Sequence, residues 1–133
     1  MPADAEVERW YTHANPALEE PLRRVRQIIL GADRRMTEYL KHGTVQFAYE
    51  GDMANFVQVK SKKVTLMFNV GARIPGRFPH LEGSGPNARF MRFDDVPMVE
   101  ARASELGRIV TAWCASRPQR DREPKKRRST RKS

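Results

Sequence analysis

The residues best suited to chemistry lie in Gly83-Ser84-Gly85-Pro86-Asn87-Ala88-Arg89. Glycines let backbone amides approach a ligand closely, and Arg89 and Arg92 could pair with an anion there. The spacing is not that of a P-loop, because no Gly-Lys-Ser/Thr follows. The competing reading is a tight turn entering an edge strand, with both arginines solvated. A second cationic spot is Lys41-His42 before Gly43, which could face a shared groove with Arg73 and Arg89; otherwise it is a solvated turn. The groove expected from these residues is lined by the segments 71–73 and 83–92 and would take a small ligand of unknown identity.

Metal chemistry needs converging ligands. His13, His42 and His80 are far apart and none has a second ligand at a familiar metal spacing. The N-terminal acids are Asp4, Glu6, Glu8, Glu19 and Glu20, although Arg23, Arg24 and Arg26 follow closely and dilute that charge. As acids at helix starts they also complement the helix dipole. Cys114 is a single cysteine, which excludes an intrachain disulfide and suits a reducing compartment. Its place near a helix C-terminus does not favour a thiolate, so a packing role is expected. No Ser-His-acid order has supporting context, and Asp94-Asp95 reads as a helix cap rather than an acid–base pair. General base, nucleophile and oxyanion donor cannot be named together, so a non-enzymatic protein is expected.

The strongest electrostatic feature is the end of the chain. Between Arg117 and Ser133 lie nine Lys or Arg and two acids, a net +7, whereas the other 116 residues carry sixteen basic and fourteen acidic side chains, a net +2. The high overall charge of +9 therefore belongs to a tail. Lys125, Lys126, Arg127, Arg128, Arg131 and Lys132 would attract nucleic acid or another polyanion without sequence preference. No aromatic accompanies them to stack on bases. A solubility tail with no partner fits the composition equally well, and disorder is expected there.

The elements that must position these residues follow from periodicity. Asp4 is placed to cap a short helix whose apolar face is Val7, Trp10 and Tyr11. Asn15-Pro16 reads as cap and first residue of a second helix, with Leu18, Leu22, Val25 and Ile29 as its stripe and Gly31 as its end. A strand is expected in 35–41. Val45, Phe47 and Tyr49 alternate in the next, Ala54 to Val59 follow after a turn at Glu50-Gly51-Asp52, and Val64, Leu66, Phe68 and Val70 alternate after Ser61-Lys62-Lys63. Four glycines and three prolines between Gly71 and Asn87 predict a long loop, with a helical turn near Pro79. Ala88 to Phe93 is the last strand. Asp94 or Asp95 then caps a final helix with the stripe Val99, Ala103, Leu106, Val110 and Trp113. The fold predicted is α+β: N- and C-terminal helices on one face of a curved antiparallel sheet of about five strands, spanning residues 1–116, with 117–133 as the tail. No run approaches the roughly 20 apolar residues needed to span a bilayer, and the N-terminus lacks a signal-peptide pattern, so a cytoplasmic protein is expected.

Several ordered segments resemble the YdhG-like domains of unknown function. Glu38-Tyr39-Leu40-Lys41-His42-Gly43-Thr44-Val45-Gln46-Phe47 is similar to that family's ik-x-G-x-P-x-F segment, although Val45 stands where proline is common and His42 where tryptophan often occurs. The strand ending Leu66-Met67-Phe68-Asn69-Val70-Gly71-Ala72 comes next. Leu81-Glu82-Gly83-Ser84-Gly85 through Arg89 to Phe93 resembles its leG-x-G-x-x-x-R-x-x-x-f segment. The likeness covers roughly residues 7–115. It implies terminal helices against a curved antiparallel sheet. Some members of that family are described as frataxin-like iron chaperones, so the resemblance further implies iron handling at surface acids, here Glu6, Glu8, Glu19 and Glu20, whose oxygens suit iron.

Overall fold

A computed structural model describes residues 5–117. The order of elements is α1 (Ala5–His13), α2 (Glu19–Ala32), β1 (Thr37–Lys41), β2 (Thr44–Ala48), β3 (Asp52–Val57), β4 (Val64–Phe68), β5 (Arg89–Phe93), α3 (Val96–Ala101) and α4 (Ala103–Ser116). The five strands form one open antiparallel sheet in the order β1-β2-β3-β4-β5. This is the predicted α+β arrangement, a meander framed by helices at both ends. No helix among the described residues is long and apolar enough to cross a membrane. The expected cap Asp4 and the tail cations from Lys125 to Lys132 lie outside the described residues.

Registry explains which residues fill the core. Phe47 pairs with Ala54 and Ala54 with Phe68, while Phe56 pairs with Leu66 and Leu66 with Met91. Side chains on paired residues share a face, so these rows form one apolar surface. Leu22, Val25 and Ile29 of α2 and Leu106, Ile109 and Val110 of α4 are fully buried with it. Trp10 and Tyr11 of α1 pack on Phe56, with ring centroids 5.5 Å and 6.3 Å away. Burying each large side chain contributes about 1.5–3 kcal/mol, which makes the helical stripes the main force fixing the layer.

Several boundaries differ from expectation. Asn15 makes no cap bond; Pro16–Leu18 is a 3-10 turn and α2 begins at Glu19. The Asn15 amide instead donates to the carbonyls of Val59 (2.7 Å) and Ser61 (3.2 Å). Helix α2 runs through Gly31 and stops at Ala32, where Asp33 turns extended and receives the Arg35 guanidinium and amide. The helical turn expected near Pro79 is found at Gly71–Arg73. Asp95 is the cap, accepting from the Met98 amide at 3.0 Å. The final helix is two helices, because Arg102 leaves helical geometry (ψ 7°) and its guanidinium donates to the Arg92 carbonyl at 2.5 Å.

Candidate functional site

The glycine loop is closed at its neck by the Ala72 amide on the Asn87 carbonyl, 2.9 Å. Inside it, Gly71 lies directly against the start of β5. A Cβ there would sit 2.7 Å from Arg89 Cβ and 2.9 Å from Phe68 Cβ, so only glycine permits this approach. Gly71, Ala72, Ile74, Gly76, Phe78, Leu81 and Arg89 line a cavity of about 170 Å³. The expected groove therefore brings Gly71 and Arg89 together. Arg89 also braces the loop from within: its Nη1 donates to the carbonyls of Gly85 and Ala88, each at 2.8 Å. Gly83 has φ +132°, a conformation that serves the loop's path, while Gly85 faces open space. Arg92 pairs with Glu82 at 2.6 Å, next to the bridge that joins Glu82 to Phe90. Arg73 is exposed and has no acid partner among the described residues.

Lys41 and His42 belong elsewhere. His42 (φ 54°) and Gly43 (φ 79°) are the two central residues of the β1–β2 hairpin turn, which needs left-handed backbone at both positions. Lys41 is held by Asp52, whose second oxygen accepts from the Tyr39 hydroxyl. Burial alone would raise the Asp52 pKa, but the Lys41 and Tyr39 hydrogen bonds outweigh it and leave the carboxyl below its usual range. β1 and β5 are opposite edges of the sheet, about 19 Å apart at four strand spacings. Because β1 and β5 run the same way, Lys41 also lies at the opposite end from Arg89. The shared groove of Lys41 and His42 with Arg73 and Arg89 is thus not formed; a five-strand meander separates them.

The acids considered for iron are dispersed among arginines. Glu8 accepts from Arg23 (3.0 Å) and Arg26 (2.7 Å), and Glu19 accepts from Arg23 (2.8 Å). The hydrogen bonds from Arg26 and then Arg23 hold the Glu8 carboxyl below its usual range. Glu6 and Glu20 are exposed. Among the described residues, no three His, Cys, Asp or Glu side chains converge as a metal group.

Arg26, Glu38 and Glu105, for which the sequence reading foresaw no such contacts, prove to be structural. Arg26 bridges Glu8 to Glu38, reaching Glu38 at 2.5 and 2.9 Å, and lies 4.5 Å over the Tyr11 ring. The Tyr11 hydroxyl donates to the same Glu38 at 3.1 Å. Glu105, buried on α4, accepts the His80 backbone amide and pairs with the His80 ring, both at 2.8 Å, and so pins the glycine loop to the helix layer. Their partners are 12 to 27 residues away, so only the fold reveals them. Cys114 is fully buried, and burial, reinforced by nearby Asp33, pushes its thiol up to about 11. It is a packing residue.

Charge pairing is uneven. Glu8, Glu19, Asp33, Glu38, Asp52, Glu82, Asp94, Glu100 and Glu105 all have a basic partner. Arg34, Lys60, Lys62, Arg73 and Arg77 have no acid partner among the described residues. Arg117, the first residue of the basic segment, lies 4.4 Å over the Trp113 ring and donates to the Glu50 carbonyl at 2.9 Å. No family model, curated protein or solved structure matches the chain.

Proposed function

We propose that the protein is a YdhG-like, non-enzymatic cytoplasmic binding domain that holds nucleic acid or another polyanion, chiefly through its basic tail. The observation that carries this reading is the uneven pairing. Nine acids of the domain have basic partners within it, whereas Arg34, Lys60, Lys62, Arg73 and Arg77 have no acid partner among the described residues, and the sequence beyond Arg117 adds a further excess of Lys and Arg suited to phosphates. Arg117 supports it further, because its contacts with Trp113 and Glu50 fix the root of the tail to the domain. The iron-chaperone alternative draws on the family resemblance, and its candidate ligands Glu8 and Glu19 already receive guanidinium groups. An enzymatic alternative would rest on a site not recognised in the sequence, and it would not use the Cys114 thiol, which is sealed in the core.

The test is binding to a fluorescent single-stranded oligonucleotide across a salt series. Six tail cations on phosphates give a slope of log affinity against log salt near −4, so a fourfold rise in salt weakens binding about 300-fold. Changing Lys125, Lys126, Arg127, Arg128, Arg131 and Lys132 to Gln should flatten that slope by about the same amount. Salt-independent binding, or a slope the six changes leave intact, refutes the proposal.

A further inference from the structure

The end of the sheet away from the glycine loop holds a second cavity, of about 340 Å³. It is lined by Trp10, His13 and Ala14 at the end of α1, by Gly43 in the β1–β2 turn, and by Val59 and Lys60 after β3. Its size falls within the range of small-molecule sites. Three separate chain segments make its walls, and each is tied to another. The Trp10 indole N–H donates to the Gly43 carbonyl at 3.0 Å. The Asn15 amide holds the carbonyls of Val59 and Ser61, so both turns are anchored to the corner between α1 and α2. Trp10 is also stacked on Phe56, at 5.5 Å and 17° between planes. The indole is therefore fixed before any ligand arrives, which lowers the ordering cost of binding. Gln58, beside Val59, holds a left-handed backbone (φ 52°) without being glycine, a conformation that persists only where surrounding contacts impose it.

The lining chemistry is asymmetric. Trp10 offers a flat aromatic surface, Lys60 an ammonium with no acid partner among the described residues, and His13 an imidazole; none of the lining residues carries a carboxylate. A neutral ring would leave Lys60 unanswered, and a bare inorganic anion would leave the indole uncovered. We propose that this cavity binds a small planar aromatic anion, with the ring against Trp10 and the acidic group on Lys60 and His13. The site is independent of the tail, so loss of polyanion binding leaves it intact.

Trp10 and Trp113 are the chain's two tryptophans, which supplies an internal control. The full chain, labelled with nitrogen-15, is titrated with benzoate and with adenosine 5′-monophosphate, and separately with benzamide and inorganic phosphate. The Trp10 indole and Gly43 amide signals should shift saturably with benzoate, the nucleotide or both, while the Trp113 indole stays in place. Preference between those two anions identifies whether the ligand is a simple aromatic acid or a nucleotide. Lys60→Gln should weaken the response about tenfold, as expected for losing a charge-assisted contact. Arg73→Gln, at the other end of the sheet, should leave it unchanged. The proposal fails if neither anion gives a saturable shift, if benzamide or phosphate alone acts as strongly, if Trp113 moves alike, or if Lys60→Gln binds like the parent.

Discussion

Replacing Arg26 by alanine removes the cation that joins α1, α2 and β1. The Arg26 and Glu38 side chains are only 13% and 12% exposed, so the Glu38 carboxylate is left with the Tyr11 hydroxyl as its single nearby donor from this network. Breaking a buried ion pair from one side costs about 3–5 kcal/mol. Partial exposure and the surviving Tyr11 bond place this site near about 3 kcal/mol, and the lost contact over the Tyr11 ring adds about 0.5–1 kcal/mol. For a domain of this size, that is a fall in Tm of roughly 12 °C or more. Urea unfolding at pH 7 measures it directly. The double variant Arg26→Met with Glu38→Met removes both charges and should recover most of the loss, because the uncompensated carboxylate is gone. A cost below about 1 kcal/mol for Arg26→Ala, or additive losses in the double variant, would refute the claim that this pair is coupled and desolvated.

Gly71→Ala should destabilise the fold by about 1–3 kcal/mol, since a Cβ there meets Arg89 and Phe68 near their backbones; an unchanged thermal midpoint would show that the loop and β5 can separate freely. Glu8, Asp33 and Asp52 have carboxyls held below their usual range by arginine or lysine partners. The unfolded chain takes up those protons first, near pH 4. Stability from these pairs is therefore complete above about pH 5 and declines as the pH falls through the lower folded values, and denaturation midpoints that rise on acidification would contradict this.

Periodicity carried the sequence reading as far as it could. The stripes Leu22-Val25-Ile29 and Leu106-Val110-Trp113 and the alternation of Val64, Leu66 and Phe68 record which side faces the core, and those residues are buried. Thr65 and Gln46 are buried as well, although their type suggested solvent; Gln46 achieves it by donating to the Ala54 carbonyl at 2.9 Å. Arg102 interrupts a helix without proline or glycine because its partner, the Arg92 carbonyl, comes from β5. Asn15 looked like a cap because local sequence shows helix starts and cannot show that Val59 and Ser61 are in reach. The grouping of Lys41 with Arg89 failed for the same reason: strand order, which sets which edges meet, is not written in any one segment.

The meander has a consequence for how the molecule is made. Every strand pairs with its neighbour in the chain, so each hairpin can zip soon after synthesis, with little loop to close. α4, which packs on α2 and completes the helix layer, is synthesised after all five strands. During that interval the part of the core that Leu106, Ile109, Val110 and Trp113 complete is still open. A ribosome stalled before Ala103 would thus carry all five strands under an unfinished helix layer, the kind of exposed apolar surface that chaperones bind, and completion of α4 closes it.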